Sequence, residues 1–495
     1  MAVDTILSAL SDVLPDYELI RDCVAGQRQI KKKGRKYLPD PDEAEPSAAE
    51  REARYKTYLE RAVFYGVTNR TLRGLVGLVF DNDPADEIPE LLLPVKEDAT
   101  GSGTSLAQQA QATLADVVSL GRAGLFTDYP QTDGPTSRAE SLAGNIRPTI
   151  LRYNPEQIIN WRTRTVGAKV LLSLVVIKEL YVIEDDGFAE TTGTQYRVLR
   201  LDEAGNYVVG IHRDVEEEGF KLFSEFMPSD GAGRPFREIP FTFVGSEDND
   251  PEIDSAPLLD IAELNKAHYH NSADYEESVF MVGQPTPVLT GLTKQWVTEA
   301  LDSRVRVGSR GAIPLPVGGD ATLLQAEPNT LAFSAMEHKE KQMTALGAKL
   351  IEANGTQMTA TEATIDAVLD NSILGTCARN VSIGYRKALN WAWQYMTGDV
   401  ADDPEIIDYE LNTDFASRLL TAQDRQQIVQ AWVQRAITWE EMRWNLKRTG
   451  MAYEDDQIAK DSINEEREEG IEMEAAAAAA LSSATGDNDP PEDEE

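Results

Sequence analysis

The sequence predicts a mixed α/β protein that is predominantly helical. Three observations lead there. Apolar residues recur at helical spacing in Arg51–Phe80, in Ser255–Gly283 and across long stretches beyond Leu331. Residues 148–245 change character, with alternating or continuous Val, Ile, Tyr and Phe runs broken by turn signals such as "EDDG" and "EAGN". The length, 495 residues, exceeds what one hydrophobic core serves, so several subdomains are expected.

The elements follow in order. Residues 1–50 read as a short helix, a dense basic loop "RQIKKKGRK" and a Pro/acid linker. The loop reads first as a solvated segment neutralising acidic neighbours, with a nucleic-acid patch as the sharper alternative. Arg51–Phe80 predicts one long helix or two, with a break near Gly66, and Gly74 and Gly77 suggest close helix packing. Gly101–Gly103 leads into a capped helix ending at Leu120, and "AGLFTDYP" reads as a buried strand. No Gly-Lys-Ser/Thr follows the glycines, so a phosphate loop is not expected. The β region is expected to be mostly antiparallel.

Ser255 is placed as a cap and Pro257 in the first turn of the next helix, with Leu258, Ile261, Leu264, His268 and Tyr275 on one face. After Gly283 a small α/β module of about fifty residues is predicted, with a short helix around Trp296 and strands in Ser303–Gly319 and "ATLLQAEP". A helix resumes over Leu331–Asn354, with Glu337 and Lys341 as an i,i+4 pair. Then comes the uncharged turn "ANGTQMT", followed by a capping box at Thr359 and Glu362. From there one helix of about 36 residues is expected, roughly 54 Å long, bent at Gly375 and Gly384. A short strand "IIDYELN" precedes a helical C-terminal part, and "TGDNDPPEDEE" is disordered by composition.

Charge and motif content narrow the function. Asp and Glu number 84 against 47 Lys and Arg, a net charge of −37. Such a chain repels nucleic acid at long range, which disfavours a conventional DNA-binding protein but suits one that lets a duplex slide past. Two cysteines exclude a disulfide framework. No secretion signal is expected, and the longest apolar run, Val170–Ile177, is too short for a membrane span. His268 and His270 project to opposite sides of a helix, which is poor metal geometry, and the catalytic motifs sought are absent. The expectation is therefore no enzyme, no cofactor and no metal.

Read with its wording, the order of elements resembles the portal proteins of tailed bacteriophages. The resemblance covers about Tyr17 to Met473. It is carried by "IRDCVAGQRQIKKKGRKYLP", "YLERAVFYGVTNRTLRGLVGLVF", "GRAGLFTDYP", "RPTILRYNPEQIINWR", "REIPFTFVG", "APLLDIAELNKAHYHNSADYEES", "TATEATID" and "AITWEEMRWNLKRTG".

The resemblance implies a portal-type architecture of wing, stem helices, α/β clip and helical crown. It places the wing at 1–250, stem helices at 255–280 and 331–353, and the clip at 281–328. A tunnel loop would occupy 354–359, a long wing helix and return strand 360–415, the crown 416–484 and a disordered acidic tail 485–495. The tunnel loop comprises Asn354, Gly355, Thr356, Gln357, Met358 and Thr359, and Trp296, Arg304, Arg306 and Arg310 would serve docking at the clip. The resemblance further implies a homo-oligomeric ring, usually of twelve subunits, at the capsid vertex of a virion assembled in the host cytoplasm. Double-stranded DNA would pass without sequence specificity. The large terminase subunit, a head–tail adaptor, the major capsid protein and scaffold would be partners. The competing expectation is another self-assembling phage ring protein, of the neck or baseplate.

Overall fold

The computed structural model describes residues 2–41, 47–130, 146–215, 219–283, 286–299, 315–324, 330–351, 372–400, 407–413, 422–448, 452 and 455–485. The chain forms two compact units, Met1–Thr413 and Asp414–Glu495.

The first unit opens with α1 (Ser8–Ala25) and α2 (Gln27–Lys33). The basic cluster lies here, and three of its cations pair within the chain. Lys33 and Lys36 pair with Glu18 at 2.7 and 2.5 Å, and Arg35 pairs with Glu52 at 2.8 Å. Helices α3 (Ala48–Arg61) and α4 (Val67–Val79) follow, separated by an extended break over 62–66. The expected break near Gly66 is thus real. Gly74 and Gly77 meet nothing close, so the close packing they suggested is not made among the described residues.

Next come β1 (Ala85–Glu87), α5 (Leu93–Glu97), α6 (Leu106–Leu120) and β2 (Arg122–Asp128). The Asp98 carboxylate accepts from the Gly101 and Gly103 amides, both at 2.9 Å, so this chain's own side chain fills the glycine loop. Ser105 and Gln108 form a full capping box at the start of α6. The sheet elements are β3 (Thr149–Tyr153), β4 (Ile158–Val166), β5 (Lys169–Asp185), β6 (Glu190–Leu201), β7 (Tyr207–Val215), β8 (Gly219–Phe226) and β9 (Phe241–Gly245). They form two antiparallel sheets, a three-stranded one ordered β3-β2-β9 and a five-stranded meander ordered β4-β5-β6-β7-β8. Strand β2 is buried on both faces, as its continuous apolar run requires. Arg197 of β6 joins the two sheets through Asp128 (2.8 Å) and Glu179 (3.0 Å).

The remainder of this unit is α7 (Leu259–Val282), β10 (Thr286–Thr290), α8 (Lys294–Glu299), β11 (Asp320–Leu324), α9 (Thr330–Lys349), α10 (Ile373–Thr397) and β12 (Asp408–Glu410). Strand β10 pairs antiparallel with β11, and β12 with β1. Ser255 does not cap α7; its hydroxyl donates to Glu247, and the helix starts after Leu258. Glu337 and Lys341 form no ion pair; on the same helix Glu340 meets His268 across the helix pair.

The continuous helix expected from Ala360 is interrupted. Ser372 is extended, its hydroxyl accepts from the Gly375 amide at 3.0 Å, and α10 begins at Ile373. Helix α10 lies on β9 and β2, with α6 alongside. Gly384 lets this helix approach the sheet, since a Cβ there would meet Val244 Cγ2 at 2.7 Å and Leu125 Cδ1 at 3.4 Å. The helix ends at Gly398 in the left-handed region, φ 80°. Arg234 donates to the Gly398 carbonyl, and the Gly231 amide donates to Gln394 O at 3.1 Å.

The second unit contains α11 (Ala422–Val433), α12 (Trp439–Arg448) and α13 (Asp456–Thr485). The single helical pattern over 421–450 is broken at Arg435, which has φ 60°. Asp456 holds α12 to α13 through Lys447 at 2.6 Å.

The tight seat of α10 generates a test. Gly384→Val should lower unfolding stability by about 1–3 kcal/mol through overpacking against Val244. The midpoint of urea unfolding followed by far-ultraviolet circular dichroism measures it, and an unchanged midpoint would contradict the close approach.

Candidate functional site

The part of the first unit that invites a functional reading is the antiparallel pair α7 and α9, with the β10–β11 ribbon and α8 between them in the chain. The sequence dictates how α7 is held. Its first half carries Ile261, Ala262, Asn265, His268, Tyr269, Ser272 and Ala273, all buried, which is an unusually polar set for a buried stripe.

Asn265, His268 and Ser272 each have a partner on another element. Asn265 is fully buried; its Oδ1 accepts from Thr68 N (3.3 Å) and Thr68 Oγ1 (3.0 Å), and its Nδ2 donates to Tyr65 O (2.7 Å). Val63 N donates to Ser272 Oγ at 3.1 Å. Tyr58 donates to Asp274 and Arg61 pairs with Glu277, both at 2.7 Å, and the Arg61 guanidinium lies 3.4 Å over the Phe280 ring. The α3–α4 break is therefore a strap running along α7. On another side, His270 Nε2 meets Tyr37 O at 2.7 Å.

The second helix of the pair joins through His268, whose Nε2 lies 3.3 Å from Glu340 Oε1 on α9. Tyr275 and Phe333 pack with ring centroids 5.9 Å apart, and Met343 is buried at the contact. Burial pulls the His268 imidazolium below its ordinary range, against the opposing pull of Glu340. Beyond Asp274 the helix emerges, and Val279 and Met281 near its C-terminal end are exposed.

At the other end of the pair the backbone does something informative. Leu374 N, in the first turn of α10, donates to Leu350 O at the end of α9 at 3.1 Å. The chain leaves at Ile351 and is back in place at Ser372, so the two ends of the intervening stretch are pinned together.

The predicted site residues fare unevenly. Asn354, Gly355, Thr356, Gln357, Met358 and Thr359 lie outside the described residues, as do Arg304, Arg306 and Arg310. Trp296 is described: it sits half-buried on α8, and its amide donates to Thr293 Oγ1 at 3.3 Å. Asn265, Ser272 and Glu340 were not singled out from sequence. Polar residues in a helical stripe look like its solvated face until the strap that satisfies them is known.

Other chemistry is muted. Burial pushes the thiols of Cys23 and Cys377 up to about 12, so neither is a thiolate nucleophile at neutral pH. Asp248, Asp250 and Asp254 stand close together in the loop before α7. Their carboxylates cap that loop's own amides: Glu247 N donates to Asp254 (2.7 Å), Asp250 N to Asp248 (2.8 Å) and Glu252 N to Asp250 (2.6 Å).

Comparison with known proteins bears on the same region. Residues 257–396 match the profile of a family described as a domain of unknown function, DUF4055. That span runs from the start of α7 almost to the end of α10, less than a third of the chain. No curated protein matches. Among solved structures, a chain from the neck of an empty GTA particle computed with C6 symmetry is similar at 13% identity. The match covers 78% of this chain and 90% of that one, with a TM-score of 0.40. A chain from the virion of a native gene transfer agent (GTA) particle is similar at 12% identity, over 79% and 92%, with a TM-score of 0.40. Likeness at that level fixes neither fold nor function.

The burial of His268, which outweighs the pull of Glu340, predicts a pH response. Because the folded-state pKa is depressed, the unfolded chain takes up the proton first as pH falls through the ordinary histidine range near 6.5. The contribution of His268 to stability is full above that range and is lost on acidification. Urea midpoints at pH 7.5 and 5 should therefore differ less in His268→Gln than in the wild type; an equal drop in both would contradict the assignment.

Proposed function

We propose that the chain is the subunit of a portal ring, a structural conduit through which double-stranded DNA passes into and out of a phage-type capsid. The observation that carries the reading is the α7–module–α9 unit together with the backbone bond from Leu374 to Leu350. A strapped pair of long antiparallel helices makes a stiff wall. A small α/β module lies between the two helices in the chain, and Leu350 and Leu374, which flank the stretch after the second helix, are hydrogen-bonded to each other. This is the order stem, clip, stem, tunnel loop that the sequence wording suggests.

On this reading Asn354–Thr359 face the duplex. Their side chains are uncharged amides, hydroxyls and a thioether, which can touch phosphates without ion-pairing. A ring that translocates DNA without reading it needs no base contacts. The strong negative charge keeps the duplex from adhering. Trp296 with Arg304, Arg306 and Arg310 would present the clip to a terminase motor during packaging and to a head–tail adaptor afterwards. Energy for translocation would come from the motor. Capsid and scaffold subunits would surround the ring at the vertex.

The test has two arms. Negatively stained images of the purified chain should show closed rings around a central hole wide enough for a duplex; open filaments or persistent monomers would sink the reading. Replacing Thr356, Gln357 and Met358 together by Lys should leave ring formation intact and lower the yield of DNA-filled particles. An unchanged yield would remove this segment from the channel wall.

A further inference from the structure

The five-stranded meander leaves two chemically opposed surfaces without partners. At the β4–β5 end, Arg162 is exposed and donates only to its neighbours Asn160 and the Trp161 carbonyl. Arg164 is half-buried, and its Nε has no hydrogen-bond partner. Lys169 is exposed. Among the described residues none of these three cations forms an ion pair, although the chain carries 84 acids. Val166 and Val170 stand exposed beside them. The β6–β7 turn at the same end adds Asp202, whose carboxylate accepts from Asn206, and Glu203, so this end carries three cations to two carboxylates.

At the opposite end, the β5–β6 hairpin carries Glu184, Asp185, Asp186 and Glu190, exposed and without cationic partners among the described residues. Asp185 and Asp186 use their carboxylates on turn amides, and the charge remains. Ile183 and Phe188 are exposed there, Phe188 completely. So a basic edge with small apolar residues and an acidic tip with large ones sit at the two ends of one strand.

Strand β5 has 17 residues. At about 3.3 Å per residue its ends are roughly 50 Å apart, so the edge and the tip of one chain cannot meet. We infer that they meet between chains: the acidic β5–β6 tip of one copy docks on the basic β4 edge of the next. Such a contact joins two different surfaces head to tail, and it closes a ring when the repeated rotation adds up to a full turn without a rise. The opposed charges orient the encounter and set the register, while the apolar residues lose water as the contact forms. The inference rests on the ring reading and adds to it the surface through which one copy recognises the next.

Charge exchange on the full chain tests it, with mass photometry reading the assembled fraction against concentration. Arg162→Glu with Lys169→Glu should raise the concentration of half-assembly at least ~10-fold, and so should Glu184→Lys with Glu190→Lys. All four substitutions together should return assembly towards the wild-type curve. The sites are exposed, so the circular dichroism spectrum and unfolding midpoint should stay as in the wild type. Wild-type rings unmoved by either pair would overturn this contact and leave the ring reading standing. Loss of assembly by both pairs without recovery in the fourfold variant would also overturn the direct pairing. A wild-type chain that stays monomeric would overturn the ring reading itself.

Discussion

Asn265 is the point on which the first unit turns. Its amide is fully enclosed and uses both ends at once, accepting from Thr68 and donating to Tyr65. Loss of such a group would strand a buried donor and a buried acceptor together, at a cost of about 1–3 kcal/mol for each unpaired group. That bond fixes the break between α3 and α4 against α7. Once fixed, the break brings Val63 to Ser272, Tyr58 to Asp274 and Arg61 to Glu277, so one helix face carries a row of polar locks. Apolar stripes can slide by a turn; hydrogen-bonded ones cannot without leaving groups unpaired. A helix that must bear load, and present a module beyond its end, gains from that kind of register.

The charge distribution follows a related logic. In the one dense basic cluster Lys33, Lys36 and Arg35 pair with Glu18, Glu52 and Asp40, and Lys31 donates to the Glu60 carbonyl, while Arg28 and Lys32 are exposed without an ion pair among the described residues. Elsewhere positive groups serve as internal ties. Arg197 joins two sheets through Asp128 and Glu179, and Arg21 and Arg152 converge on the buried Asp116. Burial raises the Asp116 carboxyl against the pull of both guanidiniums, so the three groups depend on one another. The unpaired cations of the β4 edge and the unpaired acids of the β5–β6 tip, at the two ends of one strand, give the meander contact its weight.

Much of this was legible in the sequence. The 3.6-residue patterns gave the helices, and the Ser/Thr cap after the glycine turn placed the start of α6, where the structure shows Ser105 capping. The continuous apolar run of "AGLFTDYP" announced β2 as a strand buried on both faces. What escaped was tertiary in origin. Ser255 looks like a cap, yet Glu247 takes its hydroxyl. Gly384 reads as a hinge in one helix, yet it is a clearance for Val244 and Leu125 on a sheet more than a hundred residues away in sequence. Ser372 ends a pattern that apolar spacing alone would carry through. For the candidate site, Trp296 is placed and the loop and the clip arginines lie outside the described residues, while the residues that hold the site together were invisible because their partners come from elsewhere in the chain.

Native-state hydrogen exchange tests the central claim, that the strap makes α7 and α9 one rigid body with the sheets of the first unit. The account predicts that amides of α7 between Ile261 and Ala273, those of α9 around Met343, and those of β2 exchange with the same opening free energy, equal to that of global unfolding. Earlier opening of α7 and α9, while β2 stays protected, would contradict it.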